Sequence, residues 1–154
     1  MEILGKKGLG NFLKIILQIV FVIGILILII FPIILRNVYM NINPNIVIFY
    51  PNAICLLLII YQFIGLFDSL KMSDPFSENT VKRLRKAQKI SAIASIFWIL
   101  DFLYEAIVVR MFIAFILVLA FMTILFIGVT IALYILSELF NKALEYKKEN
   151  DLTI

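Results

Sequence analysis

The chain has 154 residues, 64% of them hydrophobic and 16% charged, with a net charge of +4 and a mean hydropathy of +1.09. An ordinary soluble domain is about 45–50% apolar and about 25% charged, so a soluble core of this size cannot hide this much apolar surface, and the class is membrane protein. There is no His and one Cys, Cys55, which excludes an intrachain disulfide and a Cys/His metal site.

The first apolar stretch covers about residues 12–35 and follows Lys6 and Lys7, with Lys14 just inside it. It is much longer than a signal-peptide core of about 7–15 residues, and no small-x-small cleavage site follows, so it reads as a retained first helix. The loop from Arg36 to Asn52 is rich in Asn and carries Pro44 and Pro51, residues that break helices and favour turns. Its Tyr39, Phe49 and Tyr50 suit an interfacial aromatic belt. The second stretch runs from about Ile46 or Asn52 to Phe67, about residues 46–67 at its longest, and contains Cys55, which reads as a small buried hydrophobe. The third and fourth cover about residues 90–109 and 111–136, with a tight turn at Arg110 between them. Roughly 20 apolar residues cross the hydrocarbon as a helix. Lipid offers no partner to an open backbone, so each stretch is expected to be helical. A basic loop, 68–89, separates the second and third stretches, and a tail, 137–154, follows the fourth. The expected fold is all-α: one polytopic domain, a four-helix transmembrane bundle.

Four crossings put the N-terminus, the middle loop and the C-terminus on one side. All the Lys and Arg residues fall there except Arg36 and Arg110. The positive-inside rule then places both termini and the basic loop in the cytoplasm of a cell whose plasma membrane the chain spans.

Two groups of residues go beyond topology. The first is the basic segment DSLKMSDPFSENTVKRLRKAQKI. Asp74, Pro75 and Ser77 are helix-start chemistry, and a helix from Ser77 can run unbroken into the third crossing. Val81, Leu84 and Gln88 form one stripe, and Lys82, Arg83, Arg85, Lys86 and Lys89 crowd the rest. Such a segment suits anionic headgroups, at about 1 kcal/mol per basic residue, or an acidic cytoplasmic partner. Direct nucleic-acid binding is not expected, because no aromatic interleaving or DNA-binding motif accompanies the charges. The second group is Asp101 and Glu105, four apart on one face of the third helix and therefore directed into the bundle. Intramembrane acids are functional candidates by default. They can relay protons or hold a cation, or pair with Arg110 or Arg36.

The remaining features read as packing or as a tail. The small residues Ser91 to Ser95, with Gly24, Gly65 and Gly128, let helices approach closely. From Ser137 the last helix is expected to continue, with Glu138 and Lys142 as a four-apart ion pair. The tail ends in Leu152, Thr153 and Ile154, aliphatic side chains beside a free carboxylate, a form that groove-binding partners capture.

DPFSENTVKRLRK in the loop and YKKENDLTI at the end resemble the YoaS-like family of small bacterial membrane proteins, domain of unknown function 2975. The resemblance covers essentially the whole chain. That family has no established activity; the residues themselves, with no His, no nucleophile–base pair and no glycine-rich phosphate loop, lead to the expectation of no enzyme and no cofactor. The resemblance gives no more on chemistry than that. It does imply a neighbouring helix-turn-helix regulator, and so a membrane protein that contacts a cytoplasmic DNA-binding protein. On that reading the contact residues are Pro75, Phe76, Lys82, Arg83, Leu84, Arg85, Lys86, Glu149, Asn150, Asp151, Leu152, Thr153 and Ile154. Two other readings are a small transporter or channel, built from several copies of the chain and using Asp101 and Glu105, and an immunity or envelope-stress protein. The expected partners are the lipid bilayer, the cytoplasmic regulator and further copies of the chain.

Overall fold

The computed structural model describes residues 9–38, 44–71, 76–109 and 113–152. These form four helices: α1 (Leu9–Val38), α2 (Pro44–Lys71), α3 (Glu78–Tyr104) and α4 (Ile113–Leu152). A π-helical turn, Glu105–Val109, continues α3 without a break. Among the described residues there is no strand.

The helices are longer than the apolar stretches inside them. The turn-rich loop expected over Arg36 to Asn52 is mostly helix, since α1 runs through Val38 and α2 starts at Pro44 and carries Pro51 internally. Pro44 occupies the first helical position, where its missing N–H has no intrahelical partner to lose. Pro51 sacrifices one backbone bond, a smaller loss than opening several backbone groups in apolar surroundings. In the basic segment the helix expected from Ser77 into the third crossing is present. Ser77 caps α3, its Oγ accepting from the Thr80 backbone N–H at 3.3 Å. Thirteen of the segment's residues after Ser77 then belong to α3, from Glu78 to Ile90.

Side-chain pairs fix an up-down-up-down order. Between α1 and α2, Lys14 meets Asp68, Phe21 meets Tyr61 (ring centroids 6.1 Å apart), and the Tyr50 hydroxyl donates to the Leu28 carbonyl at 2.8 Å. The partners run in opposite chain directions. The same holds for α2 and α3, through Asn79 with Ser69 and Asn52 with Asp101. It holds again for α3 and α4, through Glu78 with Lys148, Arg85 with Glu138, and Ser91 with Thr130.

The central helix is α3. Cys55 and Ile59 of α2 pack with Ala94 and Trp98 of α3 and Leu119 and Phe126 of α4 in one cluster. Leu66 of α2, Leu84 and Ala87 of α3 and Leu133 of α4 form a second. Main contacts join chain neighbours only, so α1 lies on α2 rather than closing a ring with α4. Apart from Gly10 at its start, its apolar span has no residue buried within the chain. A helix apolar all round and covered on one side only belongs in lipid. Each of the four helices is long and apolar enough to cross a membrane; this is a membrane protein.

Candidate functional site

Polar side chains gather at the two ends of the α3–α4 pair. At the charged end the first turns of α3 lie against the last turns of α4. Lys148 donates to Glu78 at 2.6 Å, Lys82 lies 3.7 Å from the same carboxylate, and Arg85 lies 3.7 Å from Glu138. The expected Glu138–Lys142 pair thus gives way to a cross-helix one, which the close approach of α3 makes available. Glu78 precedes the apolar part of α3, and Lys148 followed by Lys82 holds its carboxyl below the usual range. Phe76 and Phe140 pack with ring centroids 5.3 Å apart. Beneath these contacts Val81, Leu84 and Ala87 are buried.

This arrangement sorts the residues singled out in the sequence. Lys82, Arg85, Lys86 and Phe76 are exposed, as are Glu149 and Asn150. Leu84 is fully buried and faces the core, not a partner. Arg83 turns inward too: its Nε is buried, and a Cβ at Gly65 would collide with its guanidinium. Gly65 is therefore small to admit Arg83, whereas Gly128 has open space around it and packs on nothing nearby. The backbone of α4 is helical through Leu152, which includes Asp151. Pro75, Thr153 and Ile154 lie outside the described residues, as does the turn residue Arg110.

Toward the other end lie Asp101 and Glu105, each 5% exposed, inside the bundle as their four-residue spacing demands. Among the described residues the hydrogen-bond partner of Asp101 is Asn52 of α2, 2% exposed, whose Nδ2 donates to Asp101 Oδ2 at 2.5 Å; the side chains of Arg36 and Arg110, the partners expected from the sequence, lie outside the described ones. Asn52 Oδ1, Asp101 Oδ1 and Glu105 Oε2 are buried without a hydrogen-bond partner among the described residues. Glu105 also opens the π-helical turn, a backbone irregularity that recurs at functional sites. The sequence reading passed over Asn52 as part of an Asn-rich loop. The available signal was an Asn at the mouth of a membrane span, where an amide needs a partner.

Between the two ends a hydroxyl ladder ties α3 to α4. Ser91 and Ser95 lie 2.9 Å and 3.2 Å from Thr130 Oγ1. Thr123 Oγ1 lies 2.8 Å from the Leu119 carbonyl of its own helix and 3.3 Å from the Trp98 carbonyl across on α3. Ser91, Ala94 and Ser95 are buried, so the small residues do allow close approach, and they bring hydrogen bonds with them.

No curated protein and no solved structure matches the chain. A family match covers residues 13–154, nearly its whole length, and carries no activity. The loop and tail motifs had pointed to the same numbered family, while YoaS-like stays a resemblance. On that match the chain belongs to the family described as Protein of unknown function (DUF2975).

Proposed function

We propose that the protein is a non-enzymatic interaction protein of the bacterial plasma membrane, whose charged end faces the cytoplasm and docks a partner there. One observation carries the reading. Segments about 60 residues apart in sequence, the first turns of α3 and the last turns of α4, are joined by Glu78–Lys148, Arg85–Glu138 and Phe76–Phe140. They form one two-helix unit with Lys82, Arg85 and Lys86 on its surface. A surplus of exposed cations suits an acidic partner, and electrostatic complementarity gives such docking its speed and selectivity. The family resemblance supports a helix-turn-helix regulator as that partner. The excess of Lys and Arg on this side supports the cytoplasmic orientation.

The test is site-specific photo-cross-linking in native membranes. The cross-linker is placed at Lys86 and, as a control on the apolar part of the same helix, at Ile93, which is 49% exposed. A cytoplasmic protein of DNA-binding fold should be captured from Lys86 and not from Ile93. Capture should fall with Lys82→Glu together with Arg85→Glu, and with a chain ending at Lys148. Lipid adducts alone at both positions overturn the reading in favour of a headgroup anchor.

A further inference from the structure

We infer that Asn52, Asp101 and Glu105 form an intramembrane binding site for one monovalent cation, the proton or an alkali ion. The site is separate from the docking end and does not depend on it.

Three observations converge. First, two carboxyl groups lie four residues apart on one helix face, each 5% exposed, in a part of the chain that spans the membrane. An ionised carboxylate there is strongly disfavoured by desolvation, and two neighbouring ones more so. Second, a residue from a different helix reaches in. Asn52 is 2% exposed and holds Asp101 Oδ2 at 2.5 Å, while its own Oδ1 remains unpartnered. Third, Asp101 Oδ1 and Glu105 Oε2 are also buried and unpartnered among the described residues. The cluster therefore has buried oxygen lone pairs and up to two negative charges, with no described cation to meet them. The chemistry it selects is a single positive charge. Two carboxylates and an amide fall short of the 6–8 oxygens that calcium takes.

Among the described residues the other titratable groups nearby are few. On α2 they are Tyr50, whose hydroxyl is held by the Leu28 carbonyl, and buried Cys55. On α3 there is Tyr104. The facing stretch of α4, which presents Leu119 and Thr123, carries none until Tyr134. Asn52 follows the start of α2 by eight residues, and Asp101 precedes the end of the π-helical turn by eight. Each is thus about 12 Å along the axis from that end of the bundle. The cation enters from that end, opposite the charged one.

Full-length protein in lipid nanodiscs tests this by infrared difference spectroscopy of the protonated-carboxyl band, titrated between about pH 4 and 9. One arm holds choline as the only other cation, and the others add sodium, potassium or lithium. Wild type should show a carboxyl band that titrates in this range, reduced by Asp101→Asn and by Glu105→Gln. If an alkali ion is the ligand, tenfold more of it moves the midpoint down by up to one pH unit. If the proton is the ligand, the midpoint ignores the salt. Asn52→Ala should raise the midpoint by about one unit, a tenfold change in proton affinity, because it removes a donor to the charged form. A wild-type band that stays constant across the range in every salt overturns the site, as does a titration unchanged in both acid variants or in Asn52→Ala. Should Asp101→Asn fail to fold, the wild-type titration and Glu105→Gln decide alone.

Discussion

The two polar regions of α3 are made of similar residues and obey different physics. Glu78 lies at one end with its side chain 58% exposed and Lys148 as its partner. Water and salt screen that pair, and exposed ion pairs contribute little. Asp101 lies about 35 Å further along the same helix, at 1.5 Å per residue. It is 5% exposed, and its hydrogen-bond partner among the described residues is a neutral amide. There the low dielectric magnifies both the bond and the penalty for the oxygens that lack one. Two carboxylates on one helix thus do different work. At the charged end a screened ion pair covers an apolar seam, and at the other end a buried carboxylate meets a neutral amide.

If the apolar seam rather than the ion pairs holds the charged end, Leu84→Ala should have the largest effect. It empties a fully buried position between Leu66, Ala87 and Leu133, and should cost about 2–5 kcal/mol of unfolding free energy in nanodiscs. At the other end, Asn52→Ala strands Asp101 Oδ2 without its donor and should cost about 1–3 kcal/mol. A loss no larger than that of an exposed Asn, such as Asn150, would dissolve the contrast between the two regions. Ser91→Ala removes the bond to Thr130 between them and should cost about 0.6 kcal/mol, the average for hydrogen bonds inside membranes. Glu78→Gln should leave the unfolding midpoint unchanged in moderate salt. The sign of its pH dependence is nevertheless defined. Lys148 lowers the Glu78 pKa, so whatever the pair contributes is complete above the usual carboxylate range and fades as pH falls through the lowered value. A midpoint that drops with Glu78→Gln in high salt would show that the charged end is more enclosed than its exposure indicates.

Much of this was legible in the residues. Long apolar runs require helices in lipid, so the number and approximate place of the helices follow from composition and length. Ser77 with Asp74-Pro75 marked the start of α3, and the four-residue spacing of Asp101 and Glu105 placed both inside. Turn chemistry was the weaker guide. Pro44 and Pro51 read as a loop because their local preference is for turns, and the apolar surroundings of α2 overrode it.

The sequence by itself determined that this chain lives in a membrane, that it crosses as helices, and that its charge is concentrated at one end. Hydrophobicity and period act locally and need no knowledge of neighbours. Only the tertiary structure decided which polar groups meet. Asn52 belongs to Asp101, Arg83 to the space above Gly65, and Lys148 to Glu78, pairings that span tens of residues. Each depends on the antiparallel register of helices packed around α3, which is set by the summed fit of many small and large side chains. No single stretch of sequence carries that sum.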